Sequence, residues 1–205
     1  ASRTSMRQEQ AEPSVAPLKL SEDDVLRRLF APATNLPEPR GDKAIVAVSN
    51  MNERAVTHRQ IENAIAYAAE QLETHGVKAG DKVVLYCENS PELSSTILAC
   101  WALNAMVALV DFRAEREAVL KTAKKLDAKV VVTSKKMYKD IDRETAMFTR
   151  EDLDVLEVSS LADFKNAKED AQVDISGLNL DAHAFTILTS GTTGPPKASV
   201  HTLRS

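Results

Sequence analysis

Nine consecutive residues, Thr189-Ser-Gly-Thr-Thr-Gly-Pro-Pro-Lys197, bring together hydroxyls, glycines, prolines and one lysine, and contain no acid. Each residue type has a use for an anion that carries several oxygens. Gly191 and Gly194 let backbone N–H groups approach a ligand closely and take up positive φ. Ser190, Thr192 and Thr193 can donate O–H hydrogen bonds to phosphate oxygens. Lys197 adds a compact positive charge. Pro195 and Pro196 restrict the exit of the loop, so less conformational entropy is lost when a ligand orders it. A polar surface turn would show a similar Ser/Thr/Gly/Pro composition, but two features argue against that reading. The loop directly follows the apolar stretch Ala184-Phe-Thr-Ile-Leu188, and ligands of open α/β sheets bind beyond such strand ends. The nearest acid, Asp181, lies on the far side of that strand. The spacing Gly191-x-x-Gly194-x-x-Lys197, followed by Ala198, excludes the P-loop G-x-x-x-x-G-K-[ST] of kinases and GTPases.

The elements that must position this loop can be read from periodicity and capping. Ser21-Glu-Asp-Asp24 opens a short helix with Val25, Leu26, Leu29 and Phe30 on one side. Lys43 to Ser49 and Arg54 to Val56, separated by a polar turn, predict a hairpin. Thr57-His-Arg-Gln60 has capping-box spacing. The helix it begins carries Ile61, Ile65, Ala68 and Leu72 on one stripe and stops at Gly76. Val83 to Tyr86 is an apolar strand. Ser90-Pro91 supplies an N-cap and a first-turn proline for a helix bearing Leu93, Ile97, Leu98 and Trp101. Met106 to Val110 (strand), Ala114 to Leu126 (helix), Val130 to Thr133 (strand) and Leu153 to Val158 (strand) follow. Tyr138 to Asp152 reads as a polar loop and Lys165 to Asp181 as a weakly patterned linker. Alternating helices and apolar strands imply an α/β fold with a largely parallel sheet and helices on both faces.

Composition narrows the function. The chain has 205 residues, 43% hydrophobic and 27% charged, as in ordinary globular proteins. A net charge of −4 lacks the basic excess expected of nucleic-acid binding. No apolar run approaches the roughly 20 residues of a membrane-spanning helix. Cys87 and Cys100 read as buried packing thiols. The four histidines, His58, His75, His183 and His201, are scattered, so no metal site is expected. His183 and His201 are expected to face solvent, and Trp101 to belong to the core rather than to an adenine platform. Residues 1–20 read as a disordered or targeting arm. Arg3 and Arg7 favour an organellar presequence and Glu9 and Glu12 oppose it, which leaves a cytoplasmic location as the expectation.

At the loop the sequence resembles the adenylate-forming, AMP-binding superfamily of acyl-CoA synthetases, nonribosomal-peptide adenylation domains and luciferases. The family signature [ST]-S-G-[ST]-T-G-x-P-K-G is matched from Thr189 to Lys197 without a gap. Upstream, His75-Gly-Val-Lys-Ala-Gly-Asp-Lys-Val83 is similar to the family's G-V-K-x-G-D-x-V. Asn89-Ser-Pro-Glu92 resembles N-S-P-E, Leu98 to Leu109 resembles L-A-x-x-x-x-G-A-x-x-x-P-L, and Asp127 to Thr133 resembles S-G-A-K-x-x-x-T. The departures are Ala198 for glycine, Ser199 for valine, Leu203 for a common histidine, Asn104 for glycine, and Val110-Asp-Phe-Arg113 for L-N-P-R. A methyl at position 198 is tolerated where φ is negative and costs on the order of 1 kcal/mol where it is positive.

The resemblance implies that residues 21–205 form the N-terminal part of an AMP-binding domain, truncated after the phosphate loop. It implies a ligase that uses ATP and Mg²⁺ to form acyl-AMP and pyrophosphate from a small carboxylic acid, and then an acyl thioester with CoA as acceptor. Thr189, Ser190, Gly191, Thr192, Thr193, Gly194 and Lys197 would contact the ATP phosphates. The residues that complete catalysis in the family come later in its members, so residues 1–205 alone are expected to be inactive. The alternative is a non-catalytic scaffold or interaction subunit derived from the same fold.

Overall fold

The run Val83-Val84-Leu85-Tyr86 has no polar side to turn to water, so both of its faces must be covered. In the computed structural model, which describes residues 45–49, 52–146, 153–169, 171–189 and 197–205, this run lies inside a six-stranded sheet. Two strands, β1 (Ile45–Ser49) and β2 (Asn52–Val56), form a separate antiparallel hairpin. The sheet itself contains β3 (Lys82–Tyr86), β4 (Met106–Leu109), β5 (Val130–Thr133), β6 (Asp154–Glu157), β7 (His183–Thr189) and β8 (Lys197–Thr202). Their order across the sheet is β6-β5-β3-β4-β7-β8. The first four neighbouring pairs are parallel, and β7–β8 is antiparallel.

Helices on both faces complete the layers. The first, α1 (His58–Thr74), begins with the capping box read from the sequence. The Gln60 N–H donates to Thr57 Oγ1 at 3.1 Å and the Thr57 N–H donates to Gln60 Oε1 at 2.9 Å. Just past its end Gly76 takes φ 75°. In α2 (Pro91–Ala102), the Leu93 N–H donates to Ser90 Oγ at 3.1 Å. Ile65, Leu72, Leu93 and Cys100 from these helices pack with Val83, Leu85, Val107, Val130 and Val132 on one face. On the other face, Val119, Leu120 and Ala123 of α3 (Arg116–Leu126) and Ile141 of α4 (Lys135–Ala146) pack with Val84, Tyr86, Ala108 and Val131. A single turn, α5 (Val158–Leu161), joins the first cluster.

Several expectations need correction. The segment from Tyr138 begins as helix, not loop, because α4 extends to Ala146. Its apolar stripe is narrow: Met137 and Tyr138 are partly buried beside the fully buried Ile141, and the remaining residues up to Thr145 are charged or polar. The helix expected from Ala114 begins at Arg116, because Ala114 is held in a turn by donating its N–H to the Asp111 carbonyl at 2.8 Å. The strand expected from Leu153 to Val158 is shorter, since Val158 already opens α5. β8 has no counterpart in the sequence reading. The helix expected after Ser21 and the arm at residues 1–20 lie outside the described residues. Among the described residues no helix is long and apolar enough to cross a membrane.

Asn104, at a position where the resembling family has glycine, takes φ 55°. Asparagine tolerates this left-handed corner better than most residues. Here its side chain also donates to the Gly177 carbonyl at 2.9 Å and accepts from the Asn179 N–H at 2.8 Å. The irregular segment before β7 is thereby fastened to the end of α2, and Leu178 and Leu180 are buried beside Ala102.

Candidate phosphate-binding site

The parallel strands point the same way, so their carboxyl ends, at Tyr86, Leu109, Thr133 and Thr189, share one edge of the sheet. The nine-residue motif leaves from this edge. Its two ends are strand residues, and Thr189 and Lys197 are register partners in the β7–β8 pair. The loop is therefore closed at its base by main-chain pairing. Ser190, Gly191, Thr192, Thr193, Gly194, Pro195 and Pro196 lie outside the described residues.

The strand that receives the loop is fastened to its neighbours. Ile187 is paired with Ser199 and Phe185 with His201, after which the register shifts between Phe185 and His183 and leaves Ala184 as an extra residue on β7. Such a bulge costs a carbonyl its regular ladder geometry. The Ala184 carbonyl instead accepts the Trp101 Nε1–H at 2.9 Å. The Trp101 ring is tilted by 45° against Phe185 with centroids 6.4 Å apart, and Phe185 stacks on His201 at 4.9 Å and 13°. His201 Nε2 shares a 2.9 Å hydrogen bond with Ser199 Oγ. Thr186 donates its hydroxyl to the Ser199 carbonyl at 3.0 Å. Trp101 is thus packed against the core as expected, with an added polar role. His183 is exposed as expected, whereas His201 is half-buried because Phe185 covers one side of its ring.

The turn after β4 lies at the same edge, since β4 pairs directly with β7. Asp111 Oδ1 accepts from the Arg113 N–H at 2.9 Å and from its Nε at 3.0 Å, while Oδ2 accepts from Nη2 at 2.9 Å. The hydrogen bonds from Arg113 hold the Asp111 carboxyl below its usual range, and the same pairing raises Arg113. The guanidinium also lies 5.6 Å from the Phe112 ring centroid. The Tyr86 hydroxyl donates to the Ala114 carbonyl at 2.7 Å and so braces this turn. A cleft of about 460 Å³ opens between α3 and the strands, lined in part by Val110, Ala118, Thr122 and Ala198. At the end of β5, the hydroxyls of Thr133 and Ser134 are buried without a hydrogen-bond partner, and sequence reading assigned them no role.

The non-glycine residues with positive φ, among those described, are Asn104 and Asp127, so Ala198 carries no left-handed strain. Burial pushes the Cys87 and Cys100 thiols up to about 12, which suits packing and not nucleophilic attack. Among the described residues no group of three His, Cys, Asp or Glu side chains gathers to hold a metal ion.

Comparison with known proteins gives a consistent picture. Residues 36–205 match the family described as AMP-binding enzyme. The chain is 34% identical over 146 residues to p-hydroxybenzoic acid–AMP ligase FadD22 of Mycobacterium tuberculosis, covering 71% of this chain and 19% of that protein. It is 29% identical over 189 residues to the acetyl-coenzyme A synthetase of Magnetococcus marinus, covering 80% and 29% respectively. The chain thus spans less than a third of the length of these curated relatives. Among solved structures, McyG A-PCP complexed with phenylalanyl-adenylate superposes with a TM-score of 0.69 at 20% identity, covering 90% of this chain and 32% of that one. The inhibitor-bound N-terminal domain of FACL13 from Mycobacterium tuberculosis gives 0.61 at 27% identity, covering 74% and 38%.

Proposed function

We propose, because the chain belongs to the AMP-binding enzyme family, that Thr189, Ser190, Gly191, Thr192, Thr193, Gly194 and Lys197 grip the phosphates of ATP in an acid–thiol ligase. The observation that carries this reading is the closed base of the loop, Thr189 paired with Lys197, at the carboxyl edge of a parallel sheet.

The proposed chemistry follows from what such a loop can do. A carboxylate oxygen attacks the α-phosphorus of ATP; the new O–P bond forms as the bond to the bridging oxygen breaks, and the electron pair leaves with pyrophosphate. A carboxylate approaching a polyanion is repelled, so the loop must neutralise charge and hold the leaving group in line. Hydroxyls at Ser190, Thr192 and Thr193 would donate to β- and γ-phosphate oxygens, the glycine amides would add further donors, and Lys197 would supply charge. Mg²⁺, when bound with the nucleotide, supplies additional neutralisation. The acyl group then passes to a thiol with release of AMP, and CoA is the proposed acceptor.

Residues 21–205 are proposed as the N-terminal part of the AMP-binding domain, preceded by an arm at 1–20. This span is proposed to carry the phosphate grip without turning over by itself. The test is carboxylate-dependent ATP–pyrophosphate exchange by the full-length protein. Alanine at Ser190, Thr192, Thr193 and Lys197 together should abolish measurable exchange at ordinary ATP concentrations. Unchanged ATP affinity and turnover would refute the assignment. Absence of exchange in the unaltered protein, across short-chain, long-chain and aromatic acids, would point instead to a non-catalytic scaffold.

A further inference from the structure

We infer that Trp101, Phe185, His201 and Ser199 form a positioning column that fixes the register of β8, and that its integrity sets the strength of the ATP grip. This rests on the phosphate-loop reading above.

The need for such a device arises at the loop's exit. Pro195 and Pro196 have no N–H to give to a ladder, and among the described residues Lys197 is paired with Thr189 on the exit side. Among the described residues β8 has β7 as its neighbour on one side and lies at the end of the sheet. Register in such a strand depends on turn geometry and on side chains that distinguish the two faces. The polar, alternating sequence Lys197-Ala-Ser-Val-His-Thr202 supplies little apolar patterning for that purpose.

The column supplies the distinction. Phe185, Ile187, Ser199 and His201 occupy one face, because pairs Phe185–His201 and Ile187–Ser199 are two residues apart on each strand. A slip of one residue would carry Ser199 and His201 together to the other face, take His201 off Phe185 and invert Lys197 across the sheet. The far end is anchored as well. Trp101 holds the bulge carbonyl of Ala184, and without that bulge the two strands would fall out of step below Phe185. Aromatic stacking adds preference for one geometry beyond area burial. The Ser199–His201 hydrogen bond within β8 holds the imidazole in its stacked orientation on Phe185, which the valine usual in the family at 199 could not do. These are positioning residues: they act on nucleotide through the placement of Lys197.

The experiment measures ATP–pyrophosphate exchange and hydrogen exchange of the amides of residues 198–202 in the full-length protein. The variants are Ser199→Ala, Ser199→Thr, His201→Ala, His201→Phe and Trp101→Phe. Ser199→Ala and His201→Ala are expected to raise KM for ATP about fivefold, from loss of roughly one hydrogen bond and the stack. Their kcat should stay within twofold and KM for the acid should be unchanged. Ser199→Thr, which keeps the hydroxyl, should restore the ATP value, and His201→Phe and Trp101→Phe should fall between. Lys197→Ala and Thr192→Ala serve as controls for the loop. If these controls raise KM for ATP while Ser199→Ala and His201→Ala do not, the column is refuted and the loop reading stands. If the controls also leave KM unchanged, the loop reading fails and the link to the ATP grip fails with it, and the register role alone is judged by amide exchange: faster exchange across 198–202 in His201→Ala supports that role, and wild-type rates overturn it.

Discussion

Asn104 and Asn179 are 75 residues apart in sequence, yet the Asn179 N–H donates to the Asn104 side-chain carbonyl at 2.8 Å. Because Asn104 also holds φ 55°, two contributions can be separated by mutation. Asn104→Gly keeps the left-handed corner and loses the two side-chain bonds, for an expected cost of about 1 kcal/mol given their exposure. Asn104→Ala loses the same bonds and must also strain the corner, adding about 1 kcal/mol. Urea unfolding should rank wild type above glycine above alanine. Equal stability of the two variants would show that the backbone angle contributes nothing.

The capping box at the start of α1 gives a simpler expectation. Thr57→Ala leaves the Gln60 N–H without its 3.1 Å acceptor, and should lower stability by about 1 kcal/mol. Thr57→Ser, which can cap in the same way, should retain most of it. The comparison is of thermal unfolding midpoints under one buffer.

Ile141 is fully buried in α4 among Val131, Val155 and partly buried Tyr138. Ile141→Ala should cost about 2–4 kcal/mol, as large-to-small changes in a packed core do. A substitution within experimental error of wild type in chemical denaturation would show that α4 does not dock on the sheet.

The two thiols predict an alkaline limit to stability. Burial raises Cys87 and Cys100 from the ordinary 9.0 to about 12 in the folded chain. Above pH 9 the unfolded chain therefore loses protons that the folded chain retains, and the unfolded state gains ground. Stability from this source is fully present below pH 9 and declines as pH rises towards 12. Replacing both residues by alanine should flatten the decline in denaturation curves between these limits, at some cost in packing. In the folded protein at neutral pH, a thiol-alkylating reagent should modify neither residue until unfolding exposes them.

Local chemistry was the legible part of this sequence. Thr57 with Gln60, and Ser90 with Pro91, obey rules that involve neighbours within one turn, and the structure follows them. Strands β3, β4 and β5 could be read because they are apolar on both sides. The loop's donors were visible as composition and its base became visible as the Thr189–Lys197 pair, while residues 190–196 rest on sequence alone. β8 was missed because Lys197-Ala-Ser-Val-His-Thr202 has no apolar run, and its place depends on a partner strand. α4 was missed because a stripe of Met137, Tyr138 and Ile141 is too narrow to announce a helix among lysines and acids. The stacking of Phe185 on His201, and the grip of Trp101 on Ala184, join segments far apart in the chain and have no local trace.

The β8 strand has a further consequence at its outer margin. Along the described sheet one side of its main-chain ladder has no partner strand, and Val200 of this strand is exposed. Such a rim is a template: an incoming extended segment would meet ready donors and acceptors, with apolar footing at Val200 on one face. A strand added there would lie beside β8, one strand removed from Thr189 at the base of the motif.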